Sequence, residues 1–276
     1  MSDRETSRVD SVFAGSVPAV YEKYLVPLIF QPYADDIARR VAAVRPSTVL
    51  EIAAGTGVVT RALSSVLPTD VAITATDLNQ AMLDEASARG TVRPVNWRQA
   101  DAMQLPFEDR SFDAVVCQFG VMFFPDKAAA FAEARRVLTS GGWFLFNVWD
   151  TLESNEIPYV VIRALESVFP DNPPRFLARV PHGYHDPAMI QRDLAAGGFA
   201  ASPEIDTVAA RSRAASARDA AIAFCQGTPL RNEIESRDPS ALERATAAAV
   251  QAIADRFGPG PVDARIQAHV VTARCD

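Results

Sequence analysis

The chain has few cysteines, no excess of positive charge and no long apolar run, and each shortage excludes a class of protein. Its three cysteines, Cys117, Cys225 and Cys275, lie far apart and show no metal-ligand spacing, which fits a reducing cytosol better than a disulfide framework. No apolar stretch approaches the roughly 18 residues that cross a bilayer, and residues 1–10 are too polar for a secretory signal. We therefore expect a cytoplasmic protein with no membrane anchor and no bound metal.

The charge of the chain argues against nucleic acid as a partner. Thirty-four acidic residues outnumber 27 basic ones and leave a formal net charge of −7, whereas nucleic-acid binding needs a basic face. The cluster of Arg211, Arg213 and Arg218 is interpreted as a solvated face. Hydrophobic residues make up 49% of the 276, enough for one large domain or for a core domain with an insertion.

Short apolar runs alternate with amphipathic ones in the first half of the chain. Strands are predicted at 48–52, 71–76, 95–98, 112–118 and 143–148. Helices are predicted between them at 58–66, 79–88 and 127–138, the last stopped by the glycines 141 and 142. Strands that alternate with helices pair in parallel through right-handed crossovers, so the pattern predicts a doubly wound α/β sheet. Ligands bind such sheets at the carboxyl ends of the strands.

A glycine turn follows the first predicted strand in the segment VLEIAAGTG, where Gly55 and Gly57 let the backbone approach a ligand closely. About twenty residues later Asp77 closes the second strand, where an acid accepts hydrogen bonds from ribose hydroxyls. The dinucleotide-binding fingerprint has a third glycine, but Thr60 stands at that position. In addition, the Glu51 carboxylate would repel a pyrophosphate. The turn therefore favours a ribose-bearing cofactor with a positive end.

Four segments between residues 47 and 149 resemble, in order and spacing, the class I S-adenosylmethionine-dependent methyltransferases, specifically the small-molecule group that includes ubiquinone-biosynthesis-like C- and O-methyltransferases. The segments are VLEIAAGTG, ATDLNQAML, QADAMQLPFEDRSFDAVVCQF and LTSGGWFLFNVW. Ala53 stands where the family has its first glycine. The resemblance implies a small-molecule methyltransferase whose cofactor is S-adenosylmethionine and whose product is S-adenosylhomocysteine.

The resemblance and the chemistry of the cofactor together give a set of expected cofactor-binding residues: Glu51, Ala53, Gly55, Gly57, Asp77, Leu78, Asp101, Ala102, Met103, Gln118 and Tyr24. Asp77 would hold the ribose, Asp101 the adenine amino group and Glu51 the amino group of the methionine portion. Each has a structural alternative. Asp77 could cap a helix and Asp101 a turn. Gln118 could form hydrogen bonds to backbone groups alone. Phe123 and Phe124 are interpreted as core residues.

The second half of the chain departs from the alternation. A helix at 187–196 and strands at 204–210 and 265–273 would complete a mostly parallel, seven-stranded, Rossmann-like sheet. Alanine-rich helical segments lie between the two late strands, and an insertion of this kind commonly forms a cap. The expected organisation is an N-terminal helical cover at 1–46, a cofactor-binding α/β core at 47–150, and the remainder of the core at 151–276 with cap insertions near 153–186 and 212–260.

Methyl transfer is an in-line displacement that needs a base only when the nucleophile arrives protonated. His182 and His185 are candidates for that base or ordinary loop residues, His269 is interpreted as structural, and the sequence identifies no catalytic residue. The acceptor is expected to be a small, partly apolar molecule, because residues 117–120 lack the Asn/Asp-Pro-Pro-Tyr motif of DNA and glutamine methyltransferases. The sequence is compatible with a homodimer and does not choose among O-, N- and C-methylation. An NAD-dependent oxidoreductase and a non-catalytic cofactor-binding relative are the alternatives.

Overall fold

The computed structural model describes residues 17–276. The expectation for residues 1–10 and the first part of the predicted N-terminal cover lie outside the described residues. The chain divides into two compact units, here called the core unit and the helical unit. The core unit comprises Tyr33–Val148, Tyr184–Val208 and Ala268–Asp276. The helical unit comprises the described residues up to Pro32 with Trp149–Gly183 and Ala209–Gln267.

Within residues 17–276, seven strands form one sheet. They are β1 (Thr48–Glu51), β2 (Ala72–Asp77), β3 (Asn96–Gln99), β4 (Phe112–Gln118), β5 (Leu138–Trp149), β6 (Glu204–Ala214) and β7 (Val262–Arg274). Their order across the sheet is β3-β2-β1-β4-β5-β7-β6, and the pairs β1–β2, β1–β4, β2–β3 and β4–β5 are parallel. The doubly wound, mostly parallel seven-stranded sheet expected from the sequence is confirmed.

Helices cover the segments between and beyond the strands. They are α1 (Val17–Val20), a π-helix (Tyr21–Phe30), α2 (Gln31–Ala43), α3 (Val58–Val66), α4 (Gln80–Arg89), α5 (Lys127–Val137), α6 (Glu156–Val168), α7 (Phe176–Arg179), α8 (Pro187–Ala196), α9 (Ala217–Gln226), α10 (Leu230–Arg237) and α11 (Leu242–Phe257). Single 3-10 turns lie at Val121–Phe123 and Leu152–Ser154. The sequence did not predict α10 separately, because its apolar pattern is thin and it buries only Leu230 and Ile234. None of the helices in residues 17–276 is long and apolar enough to span a membrane.

One predicted helix end is wrong. The helix predicted at 127–138 ends at Val137, and β5 begins at once because Leu138 is extended. The glycines that were expected to stop the helix lie inside the strand. Gly141, at φ 77°, donates its N–H to the Cys275 carbonyl over 2.7 Å, and the Cys275 N–H donates to the Gly142 carbonyl over 2.8 Å. Two residues opposite one, with the first glycine left-handed, form a β-bulge in an antiparallel pairing with β7.

The order of the strands determines where a ligand would bind. From β1 the chain crosses to β2 and β3 on one side, then continues at β4 on the other side of β1, so the switch point lies between β1 and β4. Val49 and Leu50 in β1 are fully buried, as expected for a central parallel strand covered on both faces. The residues at the carboxyl ends of β1, β2 and β4 are Glu51, Asp77 and Gln118.

An aromatic cluster holds α5 against the sheet beside this switch point. The ring of Phe131 on α5 lies 5.6 Å from that of Phe144 and 5.4 Å from that of Phe146 on β5. Phe199, after α8, lies 5.8 Å from Phe144. All four side chains are buried, and each contributes about 1.5 to 3 kcal/mol of burial free energy. The scaffold under the strand ends is therefore rigidly packed.

Candidate functional site

The turn after β1 has an unusual backbone. Ala53, Gly55 and Gly57 all have positive φ, at 54°, 56° and 80°. Between them, Ala54 donates its N–H to the Thr76 carbonyl of β2 over 2.8 Å, which fastens the turn to the neighbouring strand. Left-handed backbone is unfavourable by about 1 to 2 kcal/mol for alanine. The rest of the fold must therefore stabilise Ala53 in this conformation.

Asp77 joins the end of β2 to this turn. Its carboxylate accepts the Gly55 N–H at Oδ2 and the Asn79 N–H at Oδ1, each over 2.8 Å. The side chain is buried, and burial raises the pKa of Asp77 although both hydrogen bonds act to lower it. Asp77 holds the backbone just before α4 without capping the helix, because its partner there is the N–H of the N-cap residue Asn79. It also ties the glycine turn to the tip of β2.

Glu51 is the most deeply buried acid of the site. Only 1% of its surface is exposed, and Thr60 on α3 donates its hydroxyl to Glu51 Oε2 over 2.6 Å. Burial raises the pKa of Glu51 to about 8; the Asp77 charge adds to that rise, whereas the Thr60 hydrogen bond and the Arg61 charge oppose it. A carboxyl in this condition gains from a cation placed next to it.

The loop after β3 lies beside the tip of β2. Ala100 donates its N–H to the Asp77 carbonyl over 3.0 Å, which brings the following Asp101 close to Asp77. Asp101 is exposed and accepts the Met103 N–H over 2.9 Å, while Ala102 is buried. Leu78, at 51% exposure, is one of the few large apolar side chains left open. The structure thus brings an exposed carboxylate and an exposed apolar side chain to the same strand ends.

The turn after β4 lies next to the turn after β1 in the core unit. Phe119 is left-handed at φ 51°, and its N–H donates to Oδ1 of Asn147 on β5 over 3.0 Å. The Asn147 amide also lies 3.4 Å from Gln118 Oε1. A Cβ added to Gly120 would lie only 2.6 Å from the Cβ of Ala53, so the turns after β1 and β4 touch.

The sequence did not assign Thr60 or Asn147 to the site. In the sequence, Thr60 was interpreted only as the absence of a third glycine. Its hydroxyl lies in the first turn of the helix that follows the glycine turn, and this position could have indicated a site residue. Asn147 is the only amide in the apolar run FLFNVW, and it is fully buried. A polar side chain inside a buried strand needs a partner, and that signal was available.

The remaining expected residues belong to other segments of the chain. Tyr24 belongs to the π-helix of the helical unit, where the Lys23 ammonium lies 4.7 Å from its ring centre. In the same unit, the His182 Nδ1 lies 2.8 Å from the Asp150 carbonyl oxygen. The His269 Nδ1 lies 3.0 Å from the Thr207 hydroxyl in the core unit. A cofactor role for Tyr24 and a catalytic role for His182 or His185 stay predictions.

The geometry of the strand ends agrees with a comparison to known families. Residues 50–146 match the model of a family described as a methyltransferase domain, and they contain both turns, Asp77 and Asp101. The match covers 97 of the 276 residues, about a third of the chain. The resemblance seen in the sequence is thereby confirmed for this segment, and S-adenosylmethionine is the cofactor of the methyltransferases it is similar to.

Curated relatives of the methyltransferase domain include enzymes named for quinone biosynthesis. A ubiquinone/menaquinone biosynthesis C-methyltransferase UbiE from Teredinibacter turnerae is 31% identical over 142 residues, which are 50% of this chain and 52% of the relative. A demethylmenaquinone methyltransferase from Deinococcus radiodurans is 40% identical over 111 residues, covering 38% of this chain and 46% of the relative. The chain thus spans about half the length of the curated relatives it matches.

Solved structures extend the likeness beyond the methyltransferase domain. A putative methyltransferase from Bacillus halodurans aligns with a TM-score of 0.53 and 21% identity, covering 87% of this chain and 97% of its own. A Haemonchus contortus phosphoethanolamine N-methyltransferase 2, solved with S-adenosylhomocysteine, aligns with a TM-score of 0.61 and 17% identity over 99% of this chain and 60% of its own. At these identities the likeness shows the fold.

Proposed function

We propose that the protein is an S-adenosylmethionine-dependent methyltransferase that acts on a small, partly apolar acceptor. The observation that carries the proposal is the hydrogen bond between Asp77 and the Gly55 N–H. This hydrogen bond joins a carboxylate at the end of β2, where such sheets bind ribose, to a turn of small residues at the switch point of the sheet. The match of residues 50–146 to a methyltransferase domain supports it.

The chemistry of the residues fits this cofactor. Its hydroxyls, adenine amino group and ammonium group are all hydrogen-bond donors, and the site offers three carboxyl acceptors in Asp77, Asp101 and Glu51. We assign the ribose to Asp77, the adenine edge to Asp101 with Ala102, and the ammonium to Glu51. Leu78 and Met103 would border the adenine, and Gln118 would face the methyl group.

The same carboxyl groups disfavour a dinucleotide. A pyrophosphate carries two negative charges and is normally held by backbone N–H groups at a helix N-terminus. Here Asp77 already occupies the Gly55 N–H, and Glu51 lies at the end of the strand that leads into the turn. An NAD-dependent oxidoreductase is therefore the weaker candidate.

The proposed reaction makes modest chemical demands on the chain. Bound S-adenosylmethionine supplies a methyl group on a sulfonium, which is already activated for displacement. The residues of the chain then have to orient the acceptor in line with that methyl group and exclude water. A base is required only for a protonated nucleophile, and His182 and His185 are the proposed candidates. Cys117 is unsuited to nucleophilic chemistry, because burial raises the pKa of its thiol.

We propose that the acceptor is a small, partly apolar molecule. The matched family segment, residues 50–146, includes none of the residues of the helical unit, so the match supports the proposed cofactor and leaves the acceptor to experiment. Quinone biosynthesis in the names of the relatives is compatible with a partly apolar acceptor. We further propose a cytoplasmic location, which the buried and unpaired cysteines support, and a homodimer as the assembly to test by light scattering.

Two titrations separate the proposed function from its alternatives. S-adenosylhomocysteine should bind the purified protein in isothermal calorimetry, whereas NAD should give no measurable heat. Tight binding of NAD alone would overturn the proposal in favour of an oxidoreductase. Transfer of a labelled methyl group to a panel of quinones and other partly apolar acceptors would then distinguish an enzyme from a non-catalytic relative that binds without turnover.

The Asp77→Asn variant tests the ribose assignment. Loss of the carboxylate charge should weaken S-adenosylhomocysteine binding by about tenfold or more, or about 1.4 kcal/mol. The matched control is Asp84→Asn on α4, an exposed carboxylate whose hydrogen-bond partner is Gln80. The affinity of Asp84→Asn for S-adenosylhomocysteine should equal that of the wild type. Equal affinity of the Asp77 variant and the wild type would show that the ribose is held elsewhere.

A further inference from the structure

Thr60 has no assigned role in the methyltransferase function proposed above, yet it makes one of the shortest side-chain hydrogen bonds in the structure. Its hydroxyl lies 2.6 Å from Glu51 Oε2, and both residues are almost completely buried. When Glu51 is ionised, a hydroxyl that donates to it over this distance forms a charge-assisted hydrogen bond, which is about twice as strong as a neutral one. The contact joins α3 to the end of β1 across the glycine turn.

The second oxygen of Glu51 is differently placed. Oε1 accepts no hydrogen bond from any of the residues that the structure describes, whereas Oε2 is held by Thr60. A buried carboxylate normally has its oxygens satisfied. The unused acceptor therefore suits a donor from outside the chain, and a cationic donor best, because it also compensates the buried charge.

We propose that Thr60 is a positioning residue, whose hydroxyl fixes the Glu51 carboxylate so that Oε1 receives the ammonium group of the methionine portion of the cofactor. This inference rests on the proposed function, and it adds a residue that acts through Glu51 without touching the ligand. It also predicts that recognition of the ammonium group, and not of the nucleoside, depends on the Thr60 hydroxyl.

The charges around Glu51 give the inference a pH signature. Asp77 on β2 raises the pKa of Glu51, Arg61 on α3 and the Thr60 hydroxyl lower it, and burial raises it most, to about 8. The buried Cys117 thiol on β4 also interacts electrostatically with Glu51. Since only the ionised carboxylate pairs with an ammonium group, affinity for an ammonium-bearing ligand should rise as the pH increases from about 6 to about 8.

Two ligands separate the ammonium group from the nucleoside. S-adenosylhomocysteine carries the amino acid portion, whereas 5′-methylthioadenosine has the same adenosine and thioether but lacks it. Calorimetric titration of both into wild type, Thr60→Val and Thr60→Ser over this pH range tests the proposal. Valine keeps the branched shape of threonine and removes the hydroxyl, whereas serine keeps the hydroxyl.

Thr60→Val should lose about tenfold in affinity for S-adenosylhomocysteine at neutral pH, as expected when a hydrogen bond to a charged group is removed. It should bind 5′-methylthioadenosine as the wild type does. Its pH profile for S-adenosylhomocysteine should move to higher pH, because the hydrogen bond that favours the ionised carboxylate is gone. Thr60→Ser should restore both the affinity and the profile.

Other outcomes would overturn the inference in recognisable ways. An equal loss for both ligands would make Thr60 a structural residue of the turn. An unchanged affinity and pH profile for S-adenosylhomocysteine in Thr60→Val would remove Thr60 from ligand recognition altogether. In both cases the wild type still binds S-adenosylhomocysteine, so the proposed function stands. If the wild type binds neither ligand, the proposed function itself fails.

Discussion

Burial of Glu51 makes the stability of the folded protein depend on pH. In the folded chain the pKa of Glu51 is raised to about 8, so the native protein keeps this proton up to a higher pH than the unfolded chain does. The contribution of Glu51 to stability is therefore fully present below its unfolded pKa of 4.5 and is lost as the pH rises toward about 8. A carboxyl kept in such a position suits a role in binding better than one in folding.

Replacing Glu51 by glutamine should therefore change how stability depends on pH. The free energy of unfolding of the ligand-free wild type should fall by roughly 2 to 3 kcal/mol relative to Glu51→Gln between about pH 5 and pH 7, because each pKa unit is worth about 1.4 kcal/mol. Denaturant unfolding followed by circular dichroism measures the difference. The exposed Glu243→Gln is the control and should follow the wild type. Parallel curves for wild type and Glu51→Gln would mean that Glu51 is ionised in the fold.

The turns after β1 and β4 act as one unit at the scale of elements. A methyl group at Gly120 would lie 2.6 Å from the Ala53 Cβ and 2.7 Å from the Cys117 Sγ, far inside contact distance. The absence of a side chain at position 120 therefore makes room for the alanine at position 53, where the family has glycine. Asn147 holds the second turn from β5 through the Phe119 N–H. Two strand ends are thereby locked together at the switch point.

A double-mutant cycle tests this coupling. Gly120→Ala should cost about 1 to 3 kcal/mol by overpacking, and Ala53→Gly should be neutral or stabilising by about 1 kcal/mol because it relieves a left-handed alanine. Combined, Ala53→Gly should recover part of the loss, so the two effects are not additive. The control is Gly260→Ala, where an added Cβ meets nothing within 4 Å. Strictly additive changes in unfolding free energy would show that the turns are independent.

The acidity of the whole molecule limits its partners. With a net charge of −7 the protein lacks the long-range attraction that draws polyanions to a surface. We expect no shift of labelled duplex DNA or RNA in gel mobility assays near physiological salt, while the same preparation binds S-adenosylhomocysteine. The arginines of β6 do not change this expectation, because Arg211 and Arg213 both pair with Asp263. Binding that weakens steeply with salt would contradict it.

From the sequence alone we predicted the alternation of strands and helices, the glycine turn and the place of Asp77 at the end of β2. These depend on hydrophobic periodicity and on turn chemistry, which act over a few residues and can be read along the chain. Even so, β5 begins directly at Leu138, and its glycines form a bulge where a helix end was expected. A bulge depends on the partner strand, which local sequence does not specify.

The assembly of the site follows from the packing of the folded chain and could not be predicted from the sequence. The hydrogen bond from Thr60 to Glu51, the fit of Ala53 beside Gly120 and the support from Asn147 all join separate elements. Such contacts depend on how strands and helices pack against one another, and neither propensity nor spacing encodes the distance between two side chains. Burial is the clearest case, because Glu51 becomes an unusual acid only when the packed chain removes water from it.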